Sequence, residues 1–282
     1  MGTLRLYHAG LEKEVRKFYE RTWKTTRGTR ESFKEIGIKL TDYALAHVPL
    51  LTGKEGTDAI YAAPVAKAGV GLFRPAVVEK LRARSKELGV EFCSFGIGAS
   101  RPHENLDSLP AEVYWNTLRT SDTDLSNAMV MVYEMGEATG STLEGIVNEL
   151  RKFNLRLENL ILLAGAACID QTKDRLERVA PGMNIVYGSR WRYIEKPDPR
   201  QFYLYKMYFF QDRWIELCPK DWGRCVSGLK DGDAVNSFIE WMTETIVVPE
   251  EDQKMLHERW IDDVHTKTNT QSKKSGARKI GD

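Results

Sequence analysis

One short segment combines acids, hydroxyls and a glycine at a spacing that could support chemistry. The run from Ala128 to Phe153 reads AMVMVYEMGEATGSTLEGIVNELRKF. Glu134 and Glu137 follow an apolar stretch, and Gly140 lies in a small-residue turn before an amphipathic pattern. This order predicts a buried strand that ends in carboxylates and continues through a glycine turn into a helix.

The turn has the composition of an anion-binding loop. Gly140 lets the backbone approach a ligand closely, and the amides that open a helix have no helical partners. The turn therefore predicts a phosphate cradle without a lysine, formed by backbone amides and side-chain hydroxyls. The hydroxyl donors are Thr139, Ser141 and Thr142. The alternative is ordinary N-capping by Ser141 or Thr142, with Glu144 completing the cap.

The acid at the end of the predicted strand favours a sugar phosphate over a simple anion. Glu134 comes just before the turn, where a carboxylate would repel a phosphate held alone. A carboxylate beside a phosphate cradle is explained if it holds ribose hydroxyls or a metal ion. Glu134 therefore predicts a contact with either sugar hydroxyls or a metal ion next to the bound anion.

Several further segments place this turn in a sheet. Continuous apolar runs predict buried strands, and amphipathic runs between them predict helices. The predicted strands are residues 58–66, 90–97, 128–133, 159–166 and 184–188, with an edge strand at 111–118, and the predicted helices are residues 71–89, 142–153 and 170–182. This alternation is typical of an α/β fold with a mostly parallel sheet flanked by helices. Ligands bind such sheets at the carboxyl ends of the strands, where the turn would lie.

Other patterns set the domain organisation. Residues 11–48 carry apolar side chains at helical spacing and predict an N-terminal helical segment. Residues 189–230 are rich in aromatic residues and predict a small, partly antiparallel hood or insertion whose aromatics form core or dimer contacts. We expect a single domain over residues 1–265 and a disordered basic tail over residues 266–282.

Composition narrows the class of partner. The 282 residues include 41 basic and 40 acidic ones, so a net charge of +1 gives no general attraction to nucleic acid or to a membrane. No apolar run approaches the ~20 residues that a membrane span needs. Four scattered cysteines without a CxxC pair predict reduced thiols of a cytoplasmic protein, with no disulfide framework and no zinc site.

The ordered motifs resemble those of the type I phosphoribosyltransferases, and most closely those of the uracil phosphoribosyltransferase branch. The family's ribose 5-phosphate loop is matched by YEMGEATGST, and its pyrophosphate loop by APVAKAGVGL. Its flexible hairpin is matched by GIGASRPHENLDSLPAEVYWNTL, and its base-recognition segment is matched weakly by CPKDWGRCVSG. The fold implied by this resemblance is the type I phosphoribosyltransferase fold.

The resemblance implies a reaction and assigns roles to residues. The implied reaction moves the ribose 5-phosphate of phosphoribosyl pyrophosphate to a nitrogen of a pyrimidine-like base such as uracil, and it releases pyrophosphate. Mg²⁺ would arrive with the substrate pyrophosphate, and the family habit implies a homodimer. The implied phosphate and ribose contacts are Ala138, Thr139, Gly140, Ser141 and Thr142, and the implied pyrophosphate contacts are Lys67, Ala68, Gly69 and Arg101. The implied catalytic residues are Glu134, Glu137 and Arg101, and the implied base contacts are Asp221 and Gly223.

Individual roles within this scheme leave alternatives open. Glu134 would hold the ribose hydroxyls. Glu137 is the candidate general base, and its alternative is a side chain that points to solvent. His103, in the hairpin segment, is a candidate acid or phosphate donor, and its alternative is an exposed histidine without a role.

Departures from the family pattern keep a second hypothesis open. Glu134 stands where the family has Asp, Lys67 stands where it has Arg, and Glu137 adds a negative charge inside the phosphate loop. Most of the base-recognition segment is also missing. These departures motivate the alternative of a non-catalytic protein that binds a phosphorylated ribose ligand for regulation. A weaker third hypothesis is an enzyme that acts on a different phosphorylated sugar.

Overall fold

A large mixed sheet forms the centre of the fold. The computed structural model describes residues 3–20, 26–53, 57–66, 76–100, 110–120, 122–137, 139–197, 204–210, 213–217 and 249–259. Among the helices in these ranges, none has the length and apolar character that crossing a membrane requires.

Eight strands make up the main sheet. Their spatial order is β1 (Arg5–His8), β8 (Asn184–Arg190), β7 (Leu160–Ala167), β6 (Ala128–Glu137), β2 (Ala59–Ala66), β4 (Ile97–Ser100) and β5 (Glu112–Asn116), and β3 (Glu91–Ser94) also pairs with β2. Every pair in this sheet is parallel except β4 with β5. The mostly parallel sheet is confirmed, and so is an edge strand within residues 111–118.

The central strands are buried on both faces. All eight residues of β7 are buried, and so are the first six of β6. Because side chains alternate across a strand, Met129 and Met131 enter the apolar cluster on one face, and Val130 and Val132 enter the cluster on the other. This double burial explains why these strands appear in the sequence as continuous apolar runs.

Helices cover both faces of the sheet. The Met129 face packs against α1 (Glu12–Glu20), α2 (Thr26–His47) and α4 (Ala76–Leu88), and α3 (Pro49–Thr52) follows α2. The Val130 face packs against α5 (Ser141–Leu150) and α6 (Ile169–Val179), whose Ile146 and Leu176 are fully buried. One more helix, α7, spans residues 250–259. The helices expected after β2, β6 and β7 are therefore present, as α4, α5 and α6.

The structure differs from the sequence expectations in two places, at β1 and at residues 90–97. The sequence pattern does not predict β1, which is short and mostly exposed and is defined by its parallel pairing with β8. The single strand expected over residues 90–97 is wrong: β3 and β4 are separate strands with Phe95 and Gly96 between them. The strands β9 (Arg192–Pro197), β10 (Leu204–Phe210) and β11 (Arg213–Leu217) form an antiparallel sheet separate from the main one.

The strand order creates a switch point between β2 and β6. The parallel strands occur along the chain as β2, β3, β6, β7 and β8, but β3 lies on one side of β2 and β6 lies on the other. Successive connections therefore run outward in opposite directions from this pair. In open sheets of this kind a crevice forms outside the carboxyl ends of the two strands at the switch point. The segment after Glu137 begins at that crevice.

Candidate functional site

The carboxyl end of β6 places both predicted acids next to the switch point. The strand extends to Glu137, four residues beyond the expected end, so Glu134 and Glu137 belong to the strand and not to the turn. Glu134 lies opposite Ala164 of β7 and is partly exposed, whereas Glu137 lies opposite Ala167 and is only 4% exposed. The two carboxylates are thus in different environments, one at the surface and one buried.

Gly140 makes the turn from β6 into α5. It is the N-cap residue of α5, and its φ of 78° lies in the left-handed region, which favours glycine because a side chain there would be strained. A Cβ atom at this position would lie 3.3 Å from Cδ of Arg175 and 3.4 Å from Cγ of Leu176. The left-handed backbone conformation therefore favours glycine here, and the close packing of α6 leaves little room for a side chain.

Two amides of the predicted phosphate cradle have partners within the chain. The Gly140 N–H donates to Oε1 of Glu137 at 2.7 Å, and the Ser141 N–H donates to Oγ1 of Thr139 at 3.4 Å. The expectation of unpaired amides is therefore wrong for these two residues. A buried amide that opens a helix attracts a negative oxygen, and the carboxylate of Glu137 supplies one. Glu137 does not point to solvent.

The capping alternative is wrong as well. The N-cap residue of α5 is Gly140, so neither Ser141 nor Thr142 caps this helix, and Ser141 is fully buried. Glu144, the expected partner in a capping box, instead forms an ion pair with Arg175, with Nε 3.1 Å from Oε2. The start of α5 is held by contacts with β6 and α6.

Arg175 is a site residue that the sequence analysis missed. In addition to pairing with Glu144, its Nη1 donates to the carbonyl oxygen of Thr139 at 3.3 Å. Its side chain is only 12% exposed, so a positive charge lies beneath the loop. A basic residue in the charged helix sequence IDQTKDRLERV gives no signal of this role, because Arg178 and Lys173 in the same helix look equivalent.

The end of β7 supports the same loop from below. The Cys168 N–H donates to the carbonyl oxygen of Glu137 at 2.8 Å, which fixes the backbone of Glu137. The thiol of Cys168 is buried, and burial raises its pKa, with the charges of Glu137 and Asp170 acting in the same direction. Cys168 is therefore a protonated packing residue, and both cysteines in the described ranges, Cys93 and Cys168, are free thiols.

The hairpin of β4 and β5 flanks the crevice and is held by α7. Tyr114 packs on Gly98, where an added Cβ would lie 2.6 Å from the ring, and the guanidinium carbon of Arg259 lies 4.0 Å from the centroid of the same ring. Trp115 donates from Nε1 to Oδ2 of Asp252 at 3.1 Å. The two aromatic residues of the predicted hairpin thus anchor it to the helix over residues 250–259.

The remaining predicted site residues lie outside the described residues. They are Lys67, Ala68, Gly69, Arg101, His103, Ala138, Asp221 and Gly223. Four of them come directly after strands that end near the site. Residues 67–69 follow β2, and Arg101 follows β4. Within the described ranges, no group of three or more His, Cys, Asp or Glu side chains could hold a metal ion.

Comparisons with known proteins give distant structural similarities. No protein-family model matches the chain, and a search of curated proteins finds no match. The AQ2163 protein from Aquifex aeolicus has 18% identity and a TM-score of 0.46 over 64% of this chain and 83% of that one. The APRTase from Giardia lamblia complexed with 9-deazaadenine has 13% identity and a TM-score of 0.34, over 57% and 81%. A hypoxanthine phosphoribosyltransferase from Staphylococcus aureus has 16% identity and a TM-score of 0.33, over 62% and 74%.

Several of the similar structures are thus phosphoribosyltransferases. Identities below 20% and TM-scores below 0.5 do not assign this chain to a family. The residues at the carboxyl end of β6 therefore carry the functional assignment.

Proposed function

We propose that the chain is a phosphoribosyltransferase. In the proposed reaction, the bond from ribose C1 to a pyrophosphate oxygen breaks and a bond from C1 to an acceptor nitrogen forms. Pyrophosphate leaves with the bonding electrons and is basic enough to take the acceptor's proton. A pyrimidine-like base such as uracil is the first acceptor to test, because the loop motifs resemble those of the uracil branch.

The observation that carries this proposal is the position of Gly140. Its amide, at the N-terminus of α5 and beside the switch point of the sheet, binds a negatively charged oxygen at 2.7 Å. That oxygen comes from Glu137, and the contact supports an anion-binding role for the loop in addition to the sequence resemblance. A helix N-terminus at this edge of a parallel sheet is suited to the phosphate of a nucleotide or sugar phosphate.

The proposed roles follow from exposure and position. Glu134 is partly exposed at the end of β6 and would accept hydrogen bonds from the ribose hydroxyls. Its negative charge would also stabilise the positive charge that develops on the ring as the leaving group departs. Thr139 and Thr142 are partly exposed beside it and would bind the 5-phosphate. Glu137 is buried against Gly140, so it could act as a general base only after leaving that contact.

The leaving group needs positive charge from elsewhere. Lys67 follows β2, which borders the crevice, and Arg101 follows β4, the neighbour of β2. We propose these two residues as the pyrophosphate contacts. Mg²⁺ would neutralise the pyrophosphate charge when the substrate brings it. An ion held mainly by substrate and water fits the described residues, because Glu137 is engaged with the loop and they hold no group of three or more possible metal ligands.

A turnover assay tests the proposal. The full chain is incubated with Mg²⁺ and phosphoribosyl pyrophosphate, and pyrophosphate release is measured with each of a panel of pyrimidine, purine and pyridine bases. Release that depends on one base is the expected result. Binding of phosphoribosyl pyrophosphate without turnover on any base would indicate the regulatory alternative. Absence of binding to both phosphoribosyl pyrophosphate and ribose 5-phosphate in a thermal-shift measurement would refute the assignment.

A further inference from the structure

Glu137 occupies a donor that a substrate phosphate would need. Its Oε1 receives the Gly140 N–H at 2.7 Å, and the side chain is 4% exposed. A phosphate oxygen and a carboxylate oxygen cannot share one N–H at this distance without strong repulsion between two negative charges. Ligand-free and phosphate-bound loops therefore require different positions of the Glu137 side chain.

We propose that Glu137 gates the loop and selects its ligand: the carboxylate holds the Gly140 amide until a phosphate group displaces it. This inference depends on the proposed function because it concerns the same loop. It gives Glu137 a role other than that of a general base. Glu137 is then a specificity-determining residue that sets how strongly a phosphorylated pentose must bind.

The backbone of Glu137 itself is held in the sheet, so the displacement is a movement of its side chain. The carbonyl oxygen of Glu137 accepts the Cys168 N–H at 2.8 Å. Glu137 also pairs with Ala167 in the parallel ladder between β6 and β7. The Gly140 carbonyl accepts the Glu144 N–H at 2.8 Å, which anchors the other end of the loop. A rotation of the Glu137 side chain can therefore free the amide while β6 and α5 stay in place.

The competition favours one class of ligand. A phosphate monoester carries a charge of about −1.5 to −2 at pH 7 and offers three acceptor oxygens, compared with one charge and two oxygens for a carboxylate. It can therefore satisfy several loop donors together, and the released carboxylate regains its hydration. An uncharged pentose or nucleoside has no group that could replace the carboxylate. The loop should accordingly discriminate strongly in favour of pentoses that carry a terminal phosphate.

Arg175 makes the exchange electrostatically feasible. Its guanidinium lies under the loop, with Nη1 3.3 Å from the Thr139 carbonyl oxygen and Nε 3.1 Å from the Glu144 carboxylate. This positive charge favours an anion above the loop in both states. The gate therefore exchanges one anion for another and never leaves the loop without a counter-charge.

The experiment measures ribose 5-phosphate affinity by calorimetry for the full-length wild type and for Glu137→Gln. Glutamine keeps the size and one acceptor oxygen but removes the charge, so its bond to Gly140 is weaker. We expect Glu137→Gln to bind ribose 5-phosphate about tenfold more tightly than the wild type. The matched control is Glu149→Gln, which neutralises another carboxylate that is also 4% exposed, near the far end of α5. This control should bind like the wild type.

A second variant tests the same prediction in case Glu137→Gln does not fold. Glu137→Met fills a similar volume with an apolar side chain next to Met135 and removes both oxygens. It should also bind ribose 5-phosphate more tightly than the wild type. Unphosphorylated ribose should bind none of these proteins measurably, which shows that the gain belongs to the phosphate.

Each result decides the inference. Equal affinity of the wild type and both Glu137 variants would overturn the gate and leave the proposed function intact. Weaker binding by both variants would also overturn it, because Glu137 would then assist the ligand. Failure of every protein to bind ribose 5-phosphate and phosphoribosyl pyrophosphate would overturn both proposals together.

Discussion

The side chain of Arg175 ties α6 to the start of α5, with its Nε 3.1 Å from Oε2 of Glu144. Both side chains are largely withdrawn from solvent, at 12% and 18% exposure, and the same guanidinium reaches the Thr139 carbonyl. This pair fixes the loop in relation to the helix beneath it. It differs from the Lys173–Glu177 pair on α6 because the guanidinium contacts both a carboxylate and a backbone carbonyl.

Replacing Arg175 should loosen the loop and destabilise the fold. Arg175→Met removes the cation and leaves the Glu144 carboxylate partly buried, so we expect the free energy of unfolding to fall by about 1–3 kcal/mol. Urea denaturation measures this change. Lys173→Met on the same helix is the control, since Lys173 is half exposed and lies 3.8 Å from Glu177. Its effect should stay within about 0.5 kcal/mol. Equal losses for the two variants would show that the Arg175 pair has no special role.

Gly140 should be essential for the ligand as well as for the turn. Gly140→Ala forces a side chain into a left-handed conformation, at a cost of about 1–2 kcal/mol, and it presses on Arg175 and Leu176. We expect ribose 5-phosphate affinity to fall at least tenfold.

Gly182→Ala is the matched control for Gly140→Ala. Its φ of 84° is similar, but the nearest atom to the added Cβ is 3.9 Å away, on Glu158. It should lose comparable stability and keep its affinity. Retention of ligand binding by Gly140→Ala would contradict the placement of the phosphate.

Asp252 should stabilise the hairpin next to the crevice. Trp115 is 2% exposed and donates its indole N–H to Asp252, so Asp252→Ala leaves a buried donor without this acceptor. We expect a loss of about 1–2 kcal/mol in unfolding free energy, together with faster amide hydrogen exchange in β5. Glu251→Ala, at an exposed neighbouring position, is the control and should change neither quantity. Unchanged exchange in β5 of the Asp252 variant would refute this anchoring role.

Tyr61 should make the fold sensitive to high pH. Burial raises the pKa of Tyr61 to about 12, and the neighbouring Cys93 and Glu91 act in the same direction. The folded chain therefore keeps a proton that the unfolded chain loses above about pH 10, so stability should fall as the pH rises from 10 to 12. Tyr61→Phe should lessen this fall in denaturation curves measured across that range. Parallel curves for the variant and the wild type would argue against the pKa shift.

The central strands could be predicted because strands that are buried on both faces consist of consecutive apolar residues. β2, β6, β7 and β8 are continuous apolar runs, and each was expected within a few residues of its observed bounds. The edge strand β1 has three exposed residues of four, so only its backbone pairing with β8 reveals it. The boundary between β3 and β4 depends in the same way on long-range pairing, because both strands pair with β2.

The sequence predicts which segment forms the site and the order of its elements. It does not predict the side-chain contacts within the site. The residues from Glu134 to Thr142 mark a strand, a turn and a helix start, and the structure has these elements in that order. The direction of the Glu137 side chain depends on how far β6 extends, and a shift of one residue would turn it to the other face of the sheet. Arg175 reaches the loop from 36 residues further along the chain, a contact that no local pattern encodes.

The pairing of β1 with β8 has a consequence for synthesis of the chain. Arg5 emerges from the ribosome early, but its ladder partner Asn184 is made much later, so β1 must wait for most of the sheet to be translated. Closing so long a loop is slow, and until it closes the edge of β8 is open to pairing with other molecules. A substitution within Arg5–His8 that prevents the pairing of β1 with β8 should therefore lower the soluble yield, whereas the interior of the sheet would be unaffected.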